Sequence, residues 1–239
     1  MRRSRRSDDI TLASLRFGIA VPLLYYGIQL VAAPFFPEFS VLGTTASELG
    51  SDRSERPWIF NAGAILTGIA ALVGSIGLLR ALRRLGAHPI VAWLTLLVVA
   101  GTGLSSLWAG IFPMPDPRHG GHPSLLIAML AVPFVLSFAL WRLGVSKAMK
   151  TYLVATIVLL LVMVPIMMRM FDIDMHTYGG LAQRIFALTV FLPIGVGAFE
   201  LARRIVALRA SGHQTKGFNS VDPGGSNLLA AQPSAIPTE

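Results

Sequence analysis

The chain contains no cysteine, so disulfides, thiolate zinc sites and cysteine nucleophiles are all excluded. It is also poor in charge. Only 13% of its 239 residues are Asp, Glu, Lys or Arg, about half the roughly 25% usual in soluble domains. With 54% hydrophobic residues, too little polar surface remains to cover a globule in water, and hydrocarbon is the expected solvent for most of the chain. A glycine-rich phosphate loop, a Gly-x-Ser-x-Gly elbow and a His-Glu-x-x-His motif are missing as well. No apolar run carries a string of acids for proton relay. Glu200 stands at helical spacing from Arg203 and Arg204, where pairing is expected. A pump or antiporter is therefore disfavoured.

What is present is long apolar segments. A bilayer core of about 30 Å needs roughly 20 helical residues. Runs at 10–33, 58–79, 90–112, 124–141, 148–168 and 181–205 meet that length. Spanning backbone must satisfy its own hydrogen bonds, which predicts helices, and the short alternating segments of a β-barrel are absent. The expected fold is all-α, a polytopic bundle of six transmembrane helices. A basic segment precedes the first run, as in a signal peptide, but the run is too long for that, and Pro34 after Val31-Ala32-Ala33 disfavours cleavage. It is expected to be a retained anchor. Residues 1–9 form a basic N-terminus. Residues 207–239 are expected to be a disordered tail, being Gly-, Ser- and Pro-rich without apolar periodicity from about residue 211.

The formal net charge is +8, yet nucleic acid is not an expected partner, because the cations sit at the ends of apolar runs and not on one face. Arg2, Arg3, Arg5, Arg6, Arg80, Arg83, Arg84, Arg142, Lys147, Lys150, Arg203 and Arg204 share one set of ends. The positive-inside rule makes that side cytoplasmic, with both termini there, in a plasma-membrane protein. Glu38, Glu48, Asp52, Glu55, Asp116, Asp172 and Asp174 lie on the outer side.

Small residues recur four apart in the second run (Ala64 and Gly68; Ala70 and Gly74), and the third adds Gly101, Gly103, Ser105 and Ser106. Such spacing lets helices approach closely in lipid. It predicts tight packing of spans two and three, and it offers small-residue faces to a second copy or a protein partner. Pro22, Pro133, Pro165 and Pro193 fall inside spans and predict kinks.

Candidate chemistry collects on the outer side. Asp116, His119 and His122 could supply a carboxylate and two imidazoles to a divalent metal such as zinc. The alternative is a compact loop, with His119 on a backbone group and His122 near a helix N-cap. No cofactor is expected. Glu48, Asn61, His176 and Arg184 could converge with the same three residues into an outward polar pocket for a lipid headgroup, Arg184 or Arg118 meeting phosphate. Helix capping and interfacial anchoring are the competing roles. Trp58, Trp93, Trp108 and Trp141 read as an aromatic belt.

Ser47-Glu48-Leu49-Gly50, Phe60-Asn61-Ala62-Gly63, Gly110-Ile111-Phe112-Pro113, the Asp116/His119/His122 loop and Gly180-Leu181-Ala182-Gln183-Arg184 together resemble an uncharacterised prokaryotic family of six-span membrane proteins, a domain-of-unknown-function family (DUF family 998). That family is distantly similar to the DRAM/Frag/Sfk membrane proteins. The resemblance covers about residues 10–206 and carries over no catalytic assignment. Its eukaryotic relatives imply a link to lipid remodelling, lipid asymmetry and trafficking. The leading expectation is a non-enzymatic protein that binds or organises membrane lipids from the outer side. The alternatives are a metal-dependent lipid hydrolase or transferase, and a small transporter.

Overall fold

A computed structural model describes residues 2–218 of the chain. Its elements are α1 (Arg2–Ala32), α2 (Pro57–Arg84), α3 (Pro89–Ile111), α4 (Pro123–Arg142), α5 (Lys147–Met167) and α6 (Met175–Phe218). Two short 3-10 turns, Ala33–Phe35 and Ser47–Gly50, interrupt the α1–α2 connection. No strand occurs among the described residues. All six helices are long and apolar enough to cross a membrane. Their outward surfaces are apolar too. Leu23, Leu30, Leu97 and Ile127 are each at least 60% exposed, which suits a lipid-facing surface and would be a liability in water. The protein is an integral, multi-pass membrane protein.

α1 starts at Arg2, ahead of the apolar run at 10–33, and α6, Met175–Phe218, extends past both ends of the run at 181–205. Residues 207–218, expected to be tail, are helical, and 219–239 lie outside the described residues. Helix starts follow from local chemistry. Pro57, Pro89 and Pro123 each open a helix, where a missing N–H costs nothing. The side chains of His88, His122 and Ser146 accept from the first turns of α3, α4 and α5. Left-handed Gly86 and Gly144 follow α2 and α4, at φ 81° and 68°.

Packing runs through small residues. A Cβ placed on Gly68 of α2 would lie 2.6 Å from the Gly103 carbonyl oxygen of α3. The Ser106 hydroxyl of α3 donates to the Ala64 carbonyl at 2.9 Å. Spans two and three thus pack tightly, as the small-residue spacing predicts. Gly74 and Gly77, however, face α1 and not α3: a Cβ on Gly74 would lie 2.7 Å from Gly18 Cα. Gly18 in turn meets Ala198 of α6, Gly195 meets Pro22, and Gly101 meets Ala128 of α4. Gly197 of α6 packs on Leu136 and Leu140 of α4, and α5 packs on α4. Gly68, Gly74, Gly101 and Gly103 of the small-residue pattern thus each meet a neighbouring helix of the same chain. Tyr25 of α1 stacks on Phe191 of α6, centroids 4.3 Å apart.

Replacing Gly68 by Leu should destabilise the bundle by about 1–3 kcal/mol through overpacking, read as a lowered melting temperature in detergent. Gly27→Ala, where a Cβ meets nothing within 4 Å, should melt no lower than wild type. Equal melting of Gly68→Leu and wild type would contradict the close approach.

Candidate functional site

The α1–α2 connection is held by α6 and α2. The Gly180 and Leu181 N–H groups donate to the Gly43 and Leu42 carbonyls at 3.1 and 2.9 Å. Only glycine fits at 180, since a Cβ there would collide with the Thr44 carbonyl. One turn on, the Arg184 guanidinium donates to the carbonyls of Val41 (2.9 Å) and Thr44 (2.7 Å). The Ala46 N–H donates to Gln183 Oε1 at 2.6 Å. From the other side, Asn61 Nδ2 donates to the Gly50 carbonyl at 3.0 Å, and a Cβ on Gly50 would strike the Asn61 side chain. Glu48 closes the turn from within. Its carboxylate accepts from the Thr45 N–H and hydroxyl at 2.7 and 2.8 Å and pairs with Arg53 at 3.0 Å. Beneath lies a small core of Ala32, Phe36, Ala46, Leu49, Ile59, Phe60 and Ala64. Asn61, Gln183 and Arg184 therefore bind loop backbone, while the buried Nη2 of Arg184 has no hydrogen-bond partner among the described residues.

The α3–α4 connection is self-contained. Asp116 takes a bidentate pair from Arg118, at 3.0 and 2.7 Å. Those hydrogen bonds pull its carboxyl down to about 2. His119 Nδ1 meets the Phe112 carbonyl at 2.8 Å. His122 Nδ1 caps α4, 3.2 Å from the Ser124 N–H. Trp108 Nε1 donates to the Arg118 carbonyl at 2.7 Å. These partners match the compact-loop alternative. Among the described residues no three His, Asp or Glu side chains gather as a metal would require: Asp116 and each histidine's Nδ1 are turned to separate local partners.

The expected single pocket of Glu48, Asn61, Asp116, His119, His122, His176 and Arg184 does not assemble. Only Glu48 and His176 line a common cavity. The others point into their own loops because each has backbone to satisfy there. The cavity measures about 910 Å³ and opens between the α1–α2 connection, Met114 and the α5–α6 connection. Besides Glu48 and His176 it is lined by Glu38, Arg53, Arg169 and Asp174, with Phe36, Leu42, Met114 and Ile173 as apolar wall. Most of its charges are already engaged. Arg53 pairs with Glu48, and Asp174 accepts from the Thr177 hydroxyl at 2.6 Å and the His176 N–H at 2.9 Å. These bonds hold Asp174 below the usual carboxylate range.

Two side chains differ. Glu38 and Arg169 enter none of the described side-chain hydrogen bonds or ion pairs, and both are exposed. They are also the only non-glycine residues among those described with left-handed backbone, at φ 53° and 56°. Arg169 closes α5 in a Schellman turn: its N–H donates to the Ile166 carbonyl and that of Met170 to the Pro165 carbonyl. At the corresponding ends of α2 and α4 the chain uses Gly86 and Gly144. A non-glycine residue there costs on the order of 1 kcal/mol. Nothing in the order of the sequence marked Glu38 or Arg169. The one available signal for Arg169 was its place after an apolar run, where glycine is the common choice.

The profile of the family described as "Protein of unknown function (DUF998)" matches residues 19–200. The chain belongs to that family. No curated protein and no solved structure matches it.

Arg184→Ala should strip the Val41 and Thr44 carbonyls of a charged donor, at a cost of about 1–3 kcal/mol. The expected result is faster amide exchange across residues 41–47 with the rest of the bundle unchanged; unaltered exchange there would refute the clamp. The Asp116–Arg118 pair has a folded carboxyl pKa below its ordinary value of 3.8. Its contribution is therefore complete above the ordinary value and is lost as pH falls through about 2. In a variant keeping Trp108 as its single tryptophan, emission should be constant from neutral pH down to the ordinary carboxylate value and change below it. A transition near neutral pH would show that another group controls the loop.

Proposed function

We propose that this member of the family is a non-enzymatic plasma-membrane protein that binds and organises lipid through its extracytoplasmic cavity. The basic ends at Arg80–Arg84 and Arg142–Lys150 put the N-terminal end of the bundle in the cytoplasm by the positive-inside rule, and the cavity at the opposite end then faces outward. The observation that carries the proposal is the pairing of Arg169 and Glu38. Each charge is held in a backbone conformation that glycine would adopt without strain, beside one cavity, with no internal partner. Strained residues persist where something other than stability retains them.

The chemistry selects a class of ligand. A free guanidinium matches a phosphate oxygen, a free carboxylate matches an ammonium, and the apolar wall matches the start of an acyl chain. A zwitterionic phospholipid headgroup with a primary amine offers all three. A distant similarity of the family to the DRAM/Frag/Sfk proteins, tied to lipid remodelling and asymmetry, would support the same reading.

Native mass spectrometry of full-length protein extracted from an equimolar mixture of phosphatidylethanolamine and phosphatidylcholine tests this. Wild type should retain phosphatidylethanolamine preferentially. Arg169→Gly and Glu38→Gly should lose that preference while melting at the wild-type temperature or above it, because the strain is relieved. Retained preference in both variants would refute the site.

A further inference from the structure

A second cavity, of about 440 Å³, lies at the other end of the bundle, where the start of α1 meets the end of α2 and the first turns of α3. Its lining carries Arg80, Arg83 and Arg84 against a single carboxylate, Asp8, with Leu79 and Trp93 as apolar surface. The three guanidiniums are not equivalent. Arg84 pairs with the buried Asp8 at 3.4 Å. Arg80 is tied to neutral oxygens of α1: its Nε donates to the Thr11 hydroxyl at 3.2 Å, and its Nη2 to the Ser7 carbonyl and hydroxyl at 3.2 and 3.0 Å. Those bonds fix where the guanidinium sits and leave its charge unneutralised. Arg83 is exposed and enters none of the described hydrogen bonds or ion pairs.

A cavity holding a positioned cation, a second unspent cation and only one acid favours an anion. Planar guanidiniums at the mouth of a cleft suit phosphate oxygens, which accept more than one N–H. Trp93, 53% exposed, stands where α3 enters the apolar run, the level at which tryptophan rings sit between hydrocarbon and headgroups. Leu79 and Trp93 supply the apolar part of the lining. We infer that this cavity binds the phosphate of an anionic phospholipid from the leaflet on the N-terminal side of the bundle. This does not depend on the outer cavity or on its ligand.

The test uses full-length protein in nanodiscs of phosphatidylcholine with phosphatidylglycerol, and native mass spectrometry of the lipids retained. Wild type should hold phosphatidylglycerol above its share of the bilayer. Arg83→Ala should weaken that retention about tenfold or more, the loss expected for a hydrogen bond to a charged group. Arg83 has no described structural partner, so its variant should keep the wild-type melting temperature. Lys147→Ala removes a charge from the same end of the bundle outside the cavity, at the start of α5, and should change nothing. Arg80→Ala should act like Arg83→Ala. Equal losses in Arg83→Ala and Lys147→Ala would mean diffuse surface charge and would overturn the site, as would no loss in either arginine variant. Displacement of the lipid by glycerol phosphate at comparable concentration would overturn the lipid as the source of the phosphate.

Discussion

Backbone polar groups at the rim of a bilayer are the constraint on which this structure turns. A helix satisfies its own N–H and C=O groups, but the connection between α1 and α2 does not, and lipid supplies no substitutes. The chain answers with side chains from two helices. Arg184 and Gln183 of α6 and Asn61 of α2 cover the Val41, Thr44, Ala46 and Gly50 backbone groups, while Gly180 brings α6 within backbone hydrogen-bonding distance. The loop is thereby tied to the second and last helices of the bundle. The 910 Å³ cavity is the space left between that fixed loop and the α5–α6 connection.

The same logic governs the other end. Glu200, nearly buried, pairs with Arg203 and Arg204 at 3.0 and 2.8 Å, and Arg204 then donates to the Leu143 carbonyl at 2.7 Å, closing the end of α4. A buried acid here serves to hold an arginine that satisfies a loop. Small residues do the corresponding work inside the hydrocarbon, where packing and close contact replace the hydrophobic effect as the source of helix association.

The membrane-spanning architecture was legible in the sequence because hydrocarbon thickness imposes one length on every span. The six runs, the prolines inside four of them and the Glu200 pairing could all be read from spacing alone. The partner of each glycine could not. Gly68 and Gly74 share one helix and one residue type, yet face α3 and α1 respectively, and only the crossing geometry decides that. The motif residues Glu48, Asn61 and Arg184 were visible as unusual polar groups near lipid. Their destination was not, since backbone carbonyls accept from any donor and leave no mark in the sequence. Asp116, His119 and His122 stood out by type and spacing, but Gly120, Gly121 and Pro123 break the helical register that would have put them on one face.

Residue type is therefore a poor guide to function at a membrane surface. Glu48, Asn61, His119, His122 and Arg184 are conspicuous by type, yet each is recruited to satisfy backbone. The more informative quantity is hydrogen-bonding capacity that the fold leaves unused. By that measure Glu38 and Arg169 at one end, and Arg83 beside a fixed Arg80 at the other, stand out, together with the buried Nη2 of Arg184, for which no described group is an acceptor. Arg169 adds a second mark, because α2 and α4 show that this chain places glycine after a helix when geometry alone is at stake. It is on the unspent charges of Glu38, Arg169 and Arg83, and not on the motif residues, that both proposed lipid sites rest.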